Sequence, residues 1–360
     1  MMRVLELYSG IGGMHYALQE SGIKGDIVAA VDINTVANSI YKYNFPNVLL
    51  LNCNIQSLSA QEINNLNIDT ILMSPPCQPY TRIGLQKDML DNRSSSLLHV
   101  LSLIPQIKTL KYILLENVKG FEKSEMRNAV LKCINTSGFN YKELILSPCQ
   151  FGIPNTRYRY YLLAKKNNLE FCFDQSVLNF ELSDSILKIL PKSKYNLLTK
   201  KSCTQNSKTD KNCYTLENIL EHVEGSQYLI PKKLLEKRVW LMDIRTSQSN
   251  GSCCFTKAYS HYVEGTGSVY CPYSEKTIKE AFSEANKYER QSLEVSKILE
   301  KLMLRYFTPR EICRLMCFPE EFIFPEYITD KQKYRLLGNS INVYVVSRLI
   351  FLLYTERKIT

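Results

Sequence analysis

Four short stretches of this sequence carry residues whose types and spacing could do chemistry. "SPPCQPYTR" (74–82) sets Cys77 among three prolines within five residues, directly after an apolar run. Proline fixes its own φ and biases the residue before it away from helix, so the thiol sits on a stiff, extended loop. A held thiol suits a nucleophile, although an inert cysteine could occupy the same loop. "LLENVKGF" ends another apolar run with Glu116 and Asn117. A carboxyl emerging from "YILL" is expected to be partly buried, which raises its pKa and equips it to give a proton to a substrate under nucleophilic attack. An exposed acid at a strand end would show the same letters. "QFGIPNTRYRYYLLA" places Arg157 and Arg159 two residues apart, on one face if the segment is a strand. Two neighbouring guanidiniums repel unless they meet an anion or carbonyl acceptors; surface arginines are the alternative.

The fourth stretch is "LYSGIGG", with Gly10, Gly12 and Gly13 where a first strand should meet a first helix. Glycines there permit a tight turn and close backbone approach to a ligand. Asp32 follows about twenty residues later at the end of the second strand, where a carboxylate can hold ribose hydroxyls. The spacing is not the dinucleotide G-x-G-x-x-G, and no P-loop lysine follows. A nucleoside without phosphates fits better, S-adenosylmethionine being the common one; a purely structural turn uses the same residues.

Positioning these groups requires a sheet. "RVLELYS" (3–9), "DIVAAVD" (26–32), "NVLLLN" (47–52), "DTILMS" (69–74) and "KYILLEN" (111–117) read as short apolar strands. Helical stretches lie between most of them, notably 34–44, with Asn34 as N-cap, 94–109 and 123–137. Strand–helix alternation with fully apolar strands predicts a parallel sheet covered on both faces, with ligands at the carboxyl ends of its strands. "YKELILS" (141–147) and "YRYYLLAKK" (158–166) are expected to close the sheet, antiparallel. Residues 191–213 carry six lysines against one aspartate and read as a loop, or as an arm for a phosphate backbone. Residues 215–306 lack the strand–helix rhythm and read as an inserted second domain. Helical patterning returns from "YFTPREICRLMCF" and ends in an apolar helix before residue 354.

The 360 residues suffice for one large α/β domain and a smaller one. No apolar run reaches about 18 residues, so no membrane span is expected. The N-terminus enters a strand without a signal-like core, so an intracellular protein with reduced thiols is expected despite twelve cysteines. No C-x-x-C pair is present; "CRLMC" (Cys313, Cys317) reads as buried packing, and no metal is expected. The formal net charge of +10 favours a polyanion, nucleic acid being the usual one.

Taken together, "YSGIGGMH", "SPPCQPYTR", "ENVKGF", "RYR" and "LLGNS" stand in the order and spacing of the cytosine-5 methyltransferases, and the chain resembles that family over 3–166 and 306–355. The segment "CFTKAYSHYVEGTGSVY" (254–270) is similar to the signature of one branch, the tRNA-aspartate cytosine-5 methyltransferases. "YNFPN", "ILMSPPCQP", "YILLENVKGFE" and "GIPNTRYRY" resemble that branch as well.

The resemblance implies a doubly wound, Rossmann-like α/β methyltransferase fold. A catalytic and cofactor-binding part (1–175 and 306–360) would carry an inserted target-recognition part (176–305). It implies S-adenosyl-L-methionine as cofactor, released as S-adenosyl-L-homocysteine. Cys77 would add to cytosine C6, and C5 would then take the methyl. Loss of the C5 proton and of the thiolate would restore the ring. Glu116 would bond or protonate N3, Arg159 would hold O2, and Arg157 would orient the cluster. Tyr8, Gly10 and Gly12 correspond to the methionine and backbone side of the cofactor site, Asp32 and Ile33 to the ribose and adenine. Asn54, followed by Ile55, stands where many relatives have an aspartate for the adenine amino group. Asn339 and Ser340 would close the pocket. Cys254, Phe255, Thr256 and Tyr259 would read the substrate, the aromatics with Tyr262 by stacking, the alternative being that "CFT" packs the two domains together. The implied partner is tRNA, in the family cytosine 38 of the tRNA-Asp anticodon loop, with DNA as a weak secondary substrate. A monomer in the cytoplasm, and also the nucleus, is expected. The nearest rival is the same reaction on DNA. A catalytically silent binder is opposed by the intact Cys77, Glu116 and Arg159 set, and a zinc deaminase by the absent H-x-E…P-C-x-x-C pattern.

Overall fold

A computed structural model describes residues 1–76, 95–173, 178–191, 213–262, 264–290 and 292–356. Seven strands form the main sheet: β1 (Met2–Leu7), β2 (Gly25–Asp32), β3 (Leu49–Asn52), β4 (Thr70–Met73), β5 (Tyr112–Val118), β6 (Phe139–Leu146) and β7 (Arg159–Lys166). Their order is β3-β2-β1-β4-β5-β7-β6. Every pairing from β3 to β5 is parallel, and β7 alone runs against its neighbours, antiparallel to both β5 and β6.

Helices cover both faces: α1 (Gly13–Ser21), α2 (Thr35–Asn44), α3 (Ala60–Asn65), α4 (Ser95–Leu103) and α5 (Glu125–Thr136). The all-apolar strands split cleanly by period two. Leu72 and Leu114 enter the core under α1 and α2, while Ile71, Met73, Ile113 and Leu115 enter the core under α3, α4 and α5. Asn34 caps α2 as its sequence suggests, accepting from the Val36 and Ala37 N–H groups.

After β7 the chain adds α6 (Asp184–Ile189), α7 (Lys232–Arg238), β8 (Asp243–Arg245), β9 (Ser268–Tyr270), α8 (Glu275–Ala285), α9 (Leu293–Glu300) and β10 (Arg305–Tyr306). The last three strands make a small sheet of their own, ordered β10-β9-β8. The chain then returns through α10 (Pro309–Leu315), α11 (Asp330–Asn339) and α12 (Val343–Tyr354). Cys313 and Cys317 are buried, as their one-turn spacing suggests. Residues 330–354 are long and apolar enough to cross a membrane, but α12 packs on α1, β5 and β7 and most of the stretch is buried in the fold.

Every chemically interesting segment described lies at one edge of the main sheet. Tyr8–Gly10 and Ser74–Pro76 follow the carboxyl ends of β1 and β4, Asp32 ends β2, and Glu116 and Asn117 lie near the end of β5. Because β7 is antiparallel, its first residue, Arg159, reaches the same edge and pairs with Val118.

Candidate active site

A cavity of about 320 Å³ opens at that edge, within the size range of small-molecule sites. Its walls come from the loop after β1, the end of β2, Ser74–Pro76, the end of β5, both arginines and the Leu336–Ile341 turn.

The loop after β1 is shaped by backbone conformation. Gly10 has φ +53 and its N–H donates to Asp32 Oδ2 at 2.8 Å. The Asn34 N–H donates to Asp32 Oδ1 at 2.8 Å. The carboxylate is therefore fixed at the cavity wall by two backbone donors and keeps lone pairs for a ligand. Gly12, at φ +88, caps α1 but does not line the cavity; a Cβ there would meet the Phe45 ring at 2.5 Å. Its glycine serves the turn and the packing of α1 on α2 rather than a ligand.

Tyr8, Gly10, Asp32, Ile33, Asn339 and Ser340 all line the cavity, Ile33 at its open rim with 67 % exposure. Asn54 and Ile55 are not in the lining. Asn54 Oδ1 instead accepts from the Gln56 N–H at 3.1 Å and caps a short turn, and Ile55 is buried under the sheet. Among residues not anticipated, Ser9 is the most informative. It lines the cavity, is 5 % exposed, and its Oγ has no hydrogen-bond partner among the described residues. A buried hydroxyl is rarely left unpaired, and Ser9 lines the same cavity as Asp32. That orphan and the fixed Asp32 carboxylate fit the polar ends of S-adenosylmethionine. A serine inside a glycine-rich loop gave no sequence signal of its own.

Glu116 is 8 % exposed and pairs with Arg159, Nε to Oε1 at 3.3 Å. Burial lifts its carboxyl against the opposing pull of Arg159 and Arg157, and the net shift is upward. Arg159 also donates to the Tyr158 carbonyl at 2.8 Å. Asn117 fixes the local backbone, its amide donating to Pro75 O at 3.3 Å.

Arg157 precedes β7 rather than lying on it, yet it converges with Arg159. It meets the carbonyl acceptors that two adjacent guanidiniums require: Phe255 O at 3.0 Å, Gly338 O at 3.1 Å, and Ser340 O. It thereby ties the approach to β7 to Cys254 and Phe255 and to the end of α11. Cys254 Sγ accepts from Arg157 Nη1 at 3.4 Å. Burial pushes that thiol up, but the two guanidiniums outweigh it, and the thiol lies below its usual range.

The structure corrects the reading of the aromatic residues beside Cys254. Phe255 and Tyr259 are 3 % and 4 % exposed and cannot stack on a base. Phe255 packs edge-on against Tyr259 and Phe307; Tyr259 packs against Tyr306 and Tyr334. The Tyr259 hydroxyl donates to Ser268 O and accepts from the Phe307 N–H. Their apolar area is spent joining the small sheet to the returning helices. Thr256 braces the same turn, its Oγ1 accepting from the Ala258 N–H. The residue of this segment that does reach the cavity is Lys257, which is exposed. Tyr262 is 62 % exposed. Cys77 and the lysine-rich 192–212 lie outside the described residues.

The family description "C-5 cytosine-specific DNA methylase" matches residues 2–352. A tRNA (cytosine(38)-C(5))-methyltransferase of Spodoptera frugiperda is 45% identical over 98% of this chain and 99% of its own. A DNA (cytosine-5)-methyltransferase of Dictyostelium discoideum is 38% identical over 99% of this chain and 95% of its own. The crystal structure of a substituted Spodoptera frugiperda DNMT2 superposes with a TM-score of 0.85 at 43% identity, covering 99% of this chain and 100% of the other.

Proposed function

The chain belongs to the C-5 cytosine-specific DNA methylase family, and from that premise we propose that it methylates C5 of a cytosine in tRNA, with S-adenosylmethionine as donor and cytosine 38 of tRNA-Asp as target. The observation that carries this reading is the meeting of a buried acid and its arginine with a nucleoside-sized cavity at one sheet edge. The chain leads from that cavity's wall at Pro75 and Pro76 directly to Cys77.

Bound, S-adenosylmethionine supplies an electrophilic methyl group. Tyr8, Gly10, Asp32, Ile33, Asn339 and Ser340, which line the cavity, would hold it. The Cys77 thiolate attacks C6 of the extruded base. Glu116, its carboxyl shifted upward by burial, gives a proton to N3 and so draws electron density from the ring as sulfur adds. Arg159 holds O2 and offsets the negative charge that grows there in a water-poor site. Arg157 is spent on three backbone carbonyls and acts as a positioning residue.

The preference for RNA is supported by the Spodoptera relative's named activity; the Dictyostelium relative's name favours the DNA reading. Positive charge attracts either polymer, so discrimination must come from the cost of extruding the base, which is lower in a loop than in a duplex. Transfer of labelled methyl to tRNA and to duplex DNA at matched salt separates the two. An RNA preference of at least about 100-fold is expected from an extrusion cost of a few kcal/mol. Equal rates would replace the RNA reading by the DNA one.

A further inference from the structure

Arg159 meets Glu116 unlike most arginine–carboxylate pairs of this fold. Arg127 closes a two-bond fork on Glu143 at 2.8 and 2.7 Å, Arg305 one on Glu311 at 2.8 and 2.7 Å, and Arg314 one on Glu320 at 2.8 and 3.0 Å. Such forks favour the ionised acid, and the one on Glu320 holds that carboxyl below its usual range. On Glu116, Arg159 closes no fork; its contact is Nε to Oε1 at 3.3 Å. Its two other nitrogens are engaged elsewhere. Nη1 donates to Tyr158 O at 2.8 Å and Nη2 to Cys254 Sγ at 3.9 Å. The same sulfur accepts from Arg157 Nη1 at 3.4 Å, so one thiol is an acceptor shared by both guanidiniums. Arg157 Nη1 also holds the carbonyl of the next residue, Phe255, at 3.0 Å, which fixes where the sulfur sits. A carbon in place of that sulfur would accept nothing and would release the Nη2 end of Arg159.

We propose that Cys254 is a positioning residue: its sulfur draws the Arg159 guanidinium aside, so that Glu116 faces a single contact instead of a fork and keeps the proton it gives to N3. The inference deepens the proposed function and rests on it for the use of that proton. The two guanidiniums hold the Cys254 thiol below its usual range, which makes the sulfur a better acceptor. Among the described residues, the titratable groups that act on Glu116 are Arg159, Arg157 and Tyr161. Tyr161 stands opposite Glu116 on β7, and burial pushes its phenol up, so it stays neutral. Asp32 and Lys257 line the same cavity, and Cys253, beside Cys254, faces Asp243 and Arg245. Arg157 is tied to three carbonyls, so Arg159 is the guanidinium that can change its grip on the acid. A guanidinium carries five N–H donors, and these contacts leave some for a base.

Carbon-13 NMR of the protein labelled at glutamate Cδ reads the Glu116 carboxyl directly, with neither cofactor nor RNA present. Its signal is identified by its loss in Glu116→Gln. Cys254→Ala should lower the pH midpoint of that signal by about 1 pH unit or more, the usual pull of an adjoining guanidinium on a carboxyl. Cys254→Val, which fills nearly the same space without an acceptor, should do the same and separates the effect from lost packing. In an Arg159→Gln background, Cys254→Ala should leave the midpoint nearly unmoved, because the group it acts through is gone. In tRNA methylation, the fall of kcat at high pH should move down with the midpoint in Cys254→Ala, while the KM for RNA changes by less than about 2-fold. An unmoved midpoint in both Cys254 variants would overturn the proposal, and so would an equal fall in the Arg159→Gln background. A lowered midpoint in a protein that transfers no methyl to tRNA would uphold the hold on Arg159 and remove the proposed function instead.

Discussion

Glu116 is buried against two guanidiniums and still has its carboxyl shifted upward. Two arginines alone would hold a carboxylate ionised; desolvation wins because the side chain has almost no access to water. The upward shift favours a proton-donating role. Glu116→Gln keeps the shape and loses the proton, and should lower kcat by about 10²–10⁴-fold, the usual reach of general acid catalysis. Single-turnover rates against RNA affinity check this; a loss appearing wholly as weaker RNA binding would make Glu116 a positioning residue. The need for a protonated acid also sets a sign: activity should fall as pH rises through the raised Glu116 value, and Glu116→Gln should lose that limb. At this scale the sequence was legible for Glu116, because an acid closing "YILL" has nowhere to go but the strand end. It misled for Phe255 and Tyr259, because aromatic residues beside a glycine-rich turn read alike whether they face a ligand or a core. Phe255→Ala should therefore cost about 3–5 kcal/mol of folding stability, as deletion of a buried aromatic does, measured by urea unfolding. A stable variant with selectively weak RNA methylation would restore the stacking role.

At the scale of elements, the end of α11 is placed by one glycine. A Cβ on Gly338 would fall on the backbone of Thr256 and Lys257, so the small-sheet region and α11 touch backbone to backbone. Gly338 O is also an Arg157 acceptor. Gly338→Ala must separate the two, and both thermal stability and kcat should drop; a variant with unchanged kcat would show that Arg157 tolerates the shift. On the other side of the cavity, β1 and α2 are joined by a buried chain. Tyr41 donates to Glu6 Oε2 at 2.8 Å and meets His15 Nδ1 at 3.0 Å. Burial pushes Glu6 up to about 8 from 4.5 and His15 down to about 4 from 6.5. For Glu6, only the unfolded chain releases its proton between those two values, so stability is lost as pH rises from 4.5 to 8. For His15, only the unfolded chain takes up a proton, so stability is lost as pH falls from 6.5 to 4. Between 6.5 and 8 Glu6 acts alone of the pair, and Glu6→Gln should flatten the decline in urea midpoint over that window. An unchanged slope would remove Glu6 as its cause. The elements themselves were readable from period and composition, including the two closing strands, of which only β7 runs against the rest. What period cannot show is where Arg157 stops being strand, since the carbonyls that hold it come from residues about 98 and 181 positions away.

At the scale of the whole molecule, the doubly wound order brings residues from both ends of the chain to one cavity, and the single reversed strand delivers Arg159 to the same edge. The ordered motifs made this architecture legible, because three of them mark the carboxyl ends of β1, β4 and β5 and a fourth the start of the reversed β7. The orphaned Ser9 hydroxyl and the hydrogen bonds of Tyr8 with Ser74 and Ser96 were not legible, since both depend on the three-dimensional path of a loop. The central claim, covalent attack by Cys77 on a tRNA cytosine, is tested most directly by trapping. A tRNA-Asp transcript carrying 5-fluorocytosine cannot release its C5 substituent as a proton. Incubated with the protein and S-adenosylmethionine, it should give an adduct that survives denaturation and maps by mass spectrometry to Cys77, with none from Cys77→Ala. No adduct from the unsubstituted protein, or an undiminished one from Cys77→Ala, would contradict the account.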